Sequence, residues 1–587
     1  MTRNGNDPAH PDGPSLPEGV SQNEHIKARS NHLRGTVREE LAEDTRAFGE
    51  DNVQVLKFHG IYQQDDRDRR REARRQGLGK YHMLMVRTRV PGGIVSADGY
   101  LAHDRVAGDW GNGTLRVTTR QDFQLHGVLK THVKRVIQAI NANLLTTLGG
   151  CGDQERNVMC CPAPVPDDLH AESLRTVAEL VDALGAKTGA YVEIWLDGEP
   201  ATSTQPPEEE PLYGETYLPR KFKTAVALED DNCVDIYAND LGLIAIRSHD
   251  AERGGLAGFD ILVGGGLGRT HRKPDTYPAI GLPLAFVTPE QAVAASRAVV
   301  EVQRDHGNRT DRRHARLKYL LADRGVDWFR QQVQQRLDFE LQPFRELPRA
   351  PVHDHLGWHE QGDGSLFCGV YVENGRIADT DQAQVRTGLR RIVDELRPQV
   401  RLTPQQNVIL AGIGPEDQSR VDQLLEDHGI TPADRLRPTI RNAMGCPALP
   451  TCGLAVAESE RVLPDLIRHL DAVVEELGLG DEHISYRMTG CPNGCARPYL
   501  GDVGFVGTTV GKYDVLLGGD FEGTRLNQVY ASNVTLDEIP GLLRAPLAMF
   551  REERRPGQAF GDWCHEVGVQ ALSERFGVTA TAGAAAE

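Results

Sequence analysis

Two periodicities alternate along this chain. Short runs with apolar side chains at every second position, bounded by Gly, Pro, Asn and Asp, predict strands, and longer stretches with apolar residues three and four apart predict helices. Near the amino terminus NEHIKARSNHLRGTVREELAED (Asn23 to Asp44) predicts a surface helix and VQVLKFHGIYQQ a strand. DDRDRRREARR, from Asp65 to Arg75, pairs opposite charges three and four apart and predicts a solvated helix rather than an anion patch. Next come a strand, turn and strand in HMLMVRTRVPGGIVS, a helix, and a strand in LRVTTRQDFQLHGV. The middle of the chain predicts a helix in LRTVAELVDALG, a strand in AYVEIWLDG, an acidic Pro-rich loop TSTQPPEEEPLYGE, a strand in LGLIAIRS and a loop FDILVGGGLGRT. Long helices follow in PEQAVAASRAVVEVQRDHG and HARLKYLLADRGVDWFRQQVQQRL, and a further amphipathic helix in LAVAESERVLPDLIRHLDAVVEELG begins just after Cys452.

The pattern occurs twice. RVTTRQDFQLHGV from Arg116 matches RLTPQQNVILAGI from Arg401 without a gap, and RNVMCCPAP from Arg156 matches RNAMGCPAL from Arg441 at the same offset of 285. Upstream, VRTRVPGGI is answered by VYVENGRI, with a hairpin signal at Asn374-Gly375. The chain therefore reads as a duplicated α+β unit whose halves face each other about a pseudo-twofold axis.

Composition narrows the class. Its 587 residues allow about three or four domains. With 66 Lys+Arg against 84 Asp+Glu the formal net charge is -18, which disfavours nucleic acid and anionic membrane. No apolar run is long enough to span a bilayer and the first residues lack a signal-peptide core, so a cytoplasmic location is expected. Residues 1–23 are too polar to pack and read as disordered.

Of ten cysteines, four form a pattern: Cys446 and Cys452 as C-x5-C, then Cys491 and Cys495 as C-x3-C. Pro447 and Pro450 break helix in the first pair and Pro-Asn-Gly turns the second, so backbone N–H groups are left free to face the sulfurs. A four-thiolate metal site is expected. The spacings suit zinc poorly and an iron–sulfur cluster better, with buried structural cysteines as the bland alternative. The helix after Cys452 would aim its positive end at such a centre.

The two copies differ in chemistry. Arg116 and Arg401 agree, but Arg120 faces Gln405, Gln124 faces Ile409 and Arg87 falls opposite Val370. Cys446 has Cys161 opposite it, whereas the first copy lacks the rest of the thiol pattern. Arg156 and the run Arg220, Lys221, Lys223 add further cations, with Lys221 and Lys223 on one face of an extended segment. Such convergence in an acidic protein points to an anionic ligand, unless each cation pairs with a local carboxylate. The glycines Gly264 to Gly268 lack the strand, helix and acidic residue of a dinucleotide site and could instead admit a large planar cofactor.

With these residues assembled, the chain resembles the sulfite and nitrite reductase superfamily, in particular its siroheme-containing assimilatory sulfite reductase hemoproteins. The resemblance covers roughly residues 24–575 and rests on NHLRGT, FHGIYQQDDRD, RTRVPGG, TTRQDFQLHG, YLPRKFKT, VGGGL, GNRTDR, TGCPNGCARP with both cysteine pairs, and FGDW. It implies a three-domain, internally duplicated α+β fold: after the tail (1–23), an extended arm (24–79), a ferredoxin-like half-domain (80–149), a central α/β domain (150–353), a second half-domain (354–430), a C-terminal α/β domain (431–575) and a tail (576–587). It also implies a 4Fe-4S cluster on Cys446, Cys452, Cys491 and Cys495, with Cys495 bridging to siroheme iron. Arg87, Arg156, Lys221 and Lys223 match the anion pocket; Arg116, Arg120, Gln124, Arg220 and the Gly264, Gly265, Gly266 loop match the siroheme surroundings.

The implied activity is six-electron reduction of sulfite to sulfide in sulfate assimilation and cysteine biosynthesis. Electrons would come from an NADPH-dependent flavoprotein subunit or a ferredoxin. Nitrite reduction is the alternative within the superfamily, and a non-catalytic metal scaffold the alternative outside it. Lys223 stands where nitrite-reducing members typically carry Asn, which favours sulfite. Tyr62 and Cys151 match a pair that some ferredoxin-dependent members join covalently.

Overall fold

The computed structural model describes residues 16–198, 209–248 and 255–580. Most of the expected disordered tail, the first half of the acidic Pro-rich loop (202–208) and residues 581–587 lie outside them.

Four five-stranded sheets form two related pairs. In the first half-domain the order is Ile61–Asp65, His82–Arg87, Phe123–Val128, Leu115–Val117 and then Arg376–Ile377, a strand from the other half of the chain. In the second the order is Gly357–Glu360, Leu366–Val370, Val408–Ile413, Gln399–Leu402 and then Ile94–Val95, a strand from the first half. The exchange is reciprocal: Arg376 pairs with Arg116, and Arg401, its repeat mate, pairs with Ile94. Each half-domain caps the other's exposed sheet edge, which removes a template for aggregation and locks the pseudo-twofold.

This exchange corrects the hairpin expectation. The turns exist, with Gly92 at φ 59° and Asn374 at φ 52°, but the strands on either side of each turn join different sheets. It also corrects the alignment of Arg87. Arg87 pairs with Gln124 and Gly369 with Ile409, so the counterpart of Arg87 is Gly369, not Val370.

The other two sheets repeat one pattern of directions: parallel, parallel, antiparallel, antiparallel. The central sheet runs Met159–Cys160, Thr224–Leu228, Leu241–Arg247, Leu256–Val263, Leu282–Val287. The C-terminal sheet runs Ala443–Gly445, Tyr486–Thr489, Val503–Thr509, Lys512–Leu517, Gln528–Val534. One continuous apolar core underlies both half-domains and the central sheet, and a second fills the C-terminal sheet.

Several local expectations fail for identifiable reasons. Asn23 to Asp44 forms two short helices, Gln22–Ala28 and Val37–Ala42, whose Ile26 and Val37 are buried rather than solvated. In VQVLKFHGIYQQ only the end is strand; a helix Glu50–Phe58 precedes it, burying Val55 and Leu56. AYVEIW is a helix, Ala190–Trp195, that buries Tyr191, Ile194 and Trp195 and leaves Val192 exposed, so its apolar set follows the helical period. The long helix from His314 is divided at Gly325, whose φ of 81° suits glycine. The helix after Cys452 begins only at Leu463, with Pro464 in its first turn, so its positive end does not follow the thiol directly. Arg70–Arg75 is a solvated helix as expected, with Arg70 paired to Asp65.

Candidate functional site: thiols and cations in one cleft

The strand Ala443–Gly445 delivers Cys446 at its end, and Tyr486–Thr489 runs directly into the turn carrying Cys491 and Cys495. The sulfurs accept hydrogen bonds from the loops themselves. Gly490 N donates to Cys446 Sγ at 3.4 Å, Asn493 Nδ2 to Cys491 Sγ at 3.4 Å, and the N–H groups of Leu454 and Ala455 to Cys452. These donors do for the thiolates what the helix end was expected to do. Cys446 and Cys491 are buried, Cys452 is half-buried and Cys495 is exposed. Burial, then the neighbouring Cys495, pushes the Cys491 thiol up to about 12, so four ionised sulfurs need a compensating cationic centre.

Spacing tests which centre fits. A tetrahedral zinc ion with metal–sulfur bonds of about 2.3 Å holds its sulfurs about 3.8 Å apart. Among the described residues, the one group of three or more ligand atoms within 4.8 Å of one another lies elsewhere, and no three of these thiols make one. They nevertheless interact electrostatically, Cys446 with all three others. Four thiols converging at wider than zinc spacing, with N–H groups aimed at their sulfurs, fit a 4Fe-4S cube.

Other elements clamp these loops. Arg67, from the N-terminal arm, donates to Cys452 O at 3.2 Å and Ala455 O at 2.5 Å. Thr119 Oγ1 donates to Cys495 O at 2.9 Å. Asp235 of the central domain accepts from Arg487 at 2.8 Å and pairs with Arg497 at 2.5 Å, all three side chains being almost wholly buried.

Lys221, Lys223, Arg120, Arg316, Asn239 and Cys495 line one cleft where the central and C-terminal domains meet. Lys221 and Lys223 flank the bridge between Phe222 and Glu155, so strand-like alternation turns both ammonium groups the same way, just ahead of the strand Thr224–Leu228. Neither has a hydrogen-bond or ion-pair partner among the described residues, and Arg87 and Arg156 have no carboxylate partner there. Arg156 reaches only Gly152 O, at 3.3 Å, and Arg87 shares Gln124, whose carboxamide oxygen accepts from Arg87 Nε at 3.2 Å. Burial, then Lys223, Arg156, Arg316 and Arg220, holds Lys221 well below its ordinary value. Burial, then Arg120, Arg316 and Arg156, does the same for Lys223, while nearby Cys495 pulls the other way. Arg87 also feels Cys495.

The residues expected around a cofactor are placed unequally. Arg120 lines the cleft; it donates to Asn239 Oδ1 at 2.9 Å and to two backbone carbonyls, and its buried Nε has no partner. Arg220 lies 3.9 Å from Asp153. Arg116 is committed to Asn374 O, Gly445 O and, at 3.5 Å, Glu460, so it ties the half-domains to the thiol domain. The glycines are accounted for by protein neighbours: a Cβ on Gly265 would sit 2.2 Å from Tyr237 O, and one on Gly266 2.7 Å from Arg316. Gly268, further along the loop, lines the cleft. Tyr62 and Cys151 lie near Arg87, and burial, then Cys151, holds the Tyr62 phenol above its ordinary value.

Sequence reasoning missed Arg316, Asn239, Arg497 and Asp235. Arg497 carried a signal, two residues beyond Cys495 in CARPY; Asp235, from a loop far away in sequence, carried none.

Fold and site together define an iron–sulfur protein with a cation-lined cleft beside its thiols, built by duplication. The chain belongs to the nitrite and sulphite reductase family: the model described as nitrite and sulphite reductase 4Fe-4S domain matches residues 180–341 and 437–581. The companion ferredoxin-like half-domain model matches residues 75–143 and 359–428. The chain is 44% identical over 577 residues to a protein named sulfite reductase (ferredoxin) from Synechococcus elongatus, covering 95% of this chain and 91% of that one. It is also 44% identical over 560 residues to a protein named sulfite reductase (NADPH) hemoprotein beta-component from Anoxybacillus flavithermus, covering 95% and 96%. The solved structure of the Mycobacterium tuberculosis NirA protein has the same fold, with a TM-score of 0.77 at 24% identity over 94% of this chain and 98% of that one. No helix of the described residues is long and apolar enough to cross a membrane.

Proposed function

We propose that this protein is a sulfite reductase hemoprotein that reduces sulfite to sulfide, taking electrons from an NADPH-dependent flavoprotein or a ferredoxin. The observation that carries the reading is the convergence of Lys221, Lys223, Arg156 and Arg87, without carboxylate partners, beside Cys495. Unpaired cations held together against their own repulsion require an anion to complete the site.

In this reading Cys446, Cys452, Cys491 and Cys495 would hold a 4Fe-4S cluster, and Cys495, the exposed thiol facing the cleft, would be the ligand nearest the siroheme. When bound, siroheme and the cluster would supply redox chemistry, relaying the donor protein's electrons to the substrate. The protein's own residues do the rest. Arg120 and Arg220 would present donors to the macrocycle's carboxylates, with Arg120 Nε still free to donate, and Gln124, whose oxygen accepts from Arg87 Nε, would help to hold the Arg87 guanidinium in position beside it. The guanidinium groups of Arg87 and Arg156 orient the anion's oxygens by paired N–H donors. Lys221 and Lys223, whose protons are loosened by burial and crowding, stand ready to pass them to departing oxygens and be reprotonated from solvent.

In the second copy Gly369 and Ile409 replace Arg87 and Gln124, and Arg441, the repeat mate of Arg156, is ion-paired with Asp354 at 2.8 Å, so a single anion site per chain is expected. Purified protein with a siroheme spectrum perturbed by sulfite, and sulfide formed from sulfite with a chemical reductant, would support the reading. A colourless protein loaded with neither cofactor under siroheme-replete expression would refute it, and turnover of nitrite in strong preference to sulfite would move it to the other branch of the family. Side-by-side assays with a ferredoxin and an NADPH flavoprotein assign the donor.

A further inference from the structure

The pseudo-twofold gives the cluster position a counterpart in the first copy, and that counterpart is not empty of ligands. In the C-terminal sheet the first strand ends just before Cys446 and the second runs into Cys491 and Cys495. In the central sheet the first strand, Met159–Cys160, ends just before Cys161, and the second, Thr224–Leu228, runs into Asp231 and Cys233. A fourth side chain, His355, arrives from the connection into the second half-domain, next to the strand Gly357–Glu360. One ligand atom from each of Cys161, Asp231, Cys233 and His355 lies within 4.8 Å of all the others.

We propose that Cys161, Asp231, Cys233 and His355 bind a single zinc ion in a closed tetrahedral site that fastens the connecting segment to the central sheet. A tetrahedral zinc with metal–sulfur bonds of about 2.3 Å and metal–nitrogen or –oxygen bonds of about 2.0–2.1 Å sets its ligand atoms about 3.3–3.8 Å apart. Here Cys161 Sγ is 3.7 Å from His355 Nε2 and 3.2 Å from Asp231 Oδ2, and His355 Nε2 is 3.0 Å from Asp231 Oδ2. The group needs only small outward movements to admit the ion. It is much tighter than the thiol set that suits a cluster, and two sulfurs with one imidazole and one carboxylate form a zinc donor set.

The surroundings orient these ligands. Asp231 Oδ1 accepts from Cys233 N at 2.9 Å and His353 N at 3.3 Å, which leaves Oδ2 facing the thiol and the imidazole. His355 holds a left-handed backbone, φ 54°, which is costly for a residue other than glycine and here turns its ring inward. Cys161, Asp231 and Cys233 are buried, and His355 is Asp231's one ion-pair partner among the described residues. A bound ion would take over the part that the His355 imidazole plays in that ion pair: with the imidazole as a neutral ligand, two thiolates and a carboxylate are left for the divalent charge to offset. An open cleft lined by His170, His353 and His355 provides a path for the ion.

The test is metal analysis and zinc K-edge absorption on the holoprotein purified from zinc-supplemented medium. About one zinc per chain is expected, besides the iron, with a first shell of two sulfurs near 2.3 Å and two light atoms near 2.0–2.1 Å. The variant C161A/C233A should lose that zinc while keeping its iron content and visible spectrum, which shows that it has folded. H355A, which removes the connecting segment's own ligand, should release zinc to a chelator faster than the parent protein and raise hydrogen exchange across residues 351–357. No zinc bound, a sulfur-free zinc shell, zinc retained by C161A/C233A, or a Cys161–Cys233 disulfide in the purified protein would each overturn the proposal. Should C161A/C233A fail to fold, the absorption spectrum of the unaltered chain still decides.

Discussion

Replacing Lys223 with Met separates function from stability. The two side chains have similar length and volume, so the change removes a charge and leaves packing nearly intact. A charge-assisted hydrogen bond to a bound anion contributes about 1.5–3 kcal/mol, so Lys223→Met should weaken sulfite binding about 10- to 150-fold. Without the anion the sign reverses. Lys223 is held well below 10.5, by burial and then by Arg120, Arg316 and Arg156, so in the pH range between its folded value and 10.5 the unfolded chain binds more protons than the folded one. Stability of the anion-free protein therefore rises with pH through that window, and the penalty is greatest below it. Sulfite binding, which needs the protonated amine, should fall over the same range. Removing the charge should raise the thermal midpoint of the sulfite-free protein and flatten its pH dependence, while lowering the shift that sulfite produces. Binding is read from the sulfite-perturbed visible spectrum, stability from thermal unfolding with and without sulfite. A variant that loses stability and affinity together would show that Lys223 has a packing or pairing role, and the argument from unpaired cations would fail.

Three further outcomes follow from other contacts. Lys223→Asn should shift the ratio of nitrite to sulfite turnover toward nitrite, and an unchanged ratio would remove the basis for preferring sulfite. Cys495→Ser should disturb the cluster and siroheme signals together, as measured by electron paramagnetic resonance and visible absorption; loss of the cluster signal with normal heme absorption would refute a shared thiolate. Asp235→Asn leaves Arg487 and Arg497 without their buried partner, a change that costs about 3–5 kcal/mol, and should speed hydrogen exchange in the 487–497 loop, whereas unchanged protection would mean that the triad does not hold the thiol turn in place.

The duplication was legible because it leaves matches at one offset: Arg116 with Arg401, and Cys161 with Cys446. The strand exchange was not, since VRTRVPGGI and VYVENGRI carry good turn chemistry whether the next strand folds back or crosses to the other half. Periodicity over six residues also failed to separate helix from strand in AYVEIW, where Ile, Val, Tyr and Trp favour strand but burial follows the helix. Within the site, Lys221 and Lys223 were readable from alternation and the thiols from spacing. Asp235 and Arg316 were not, because their partners lie far away in sequence: Arg487 and Arg497 for the first, Asp240 for the second.

The two copies use the same strand ends for different purposes, and the direction of that divergence has a physical reason. A cluster beside a cofactor needs one exposed thiol, and Cys495 is the exposed member of its set. In the first copy the corresponding loop turns inward: Cys233 is fully buried and Asp231 nearly so, and the facing surface is given instead to Lys221 and Lys223. Thiolates and cations attract, so placing the redox thiols on one copy and the cations on the other, across an axis that brings both to one cleft, lets each copy's charge offset the other's repulsion. Two identical copies could not do this, since either would meet its own charge across the axis.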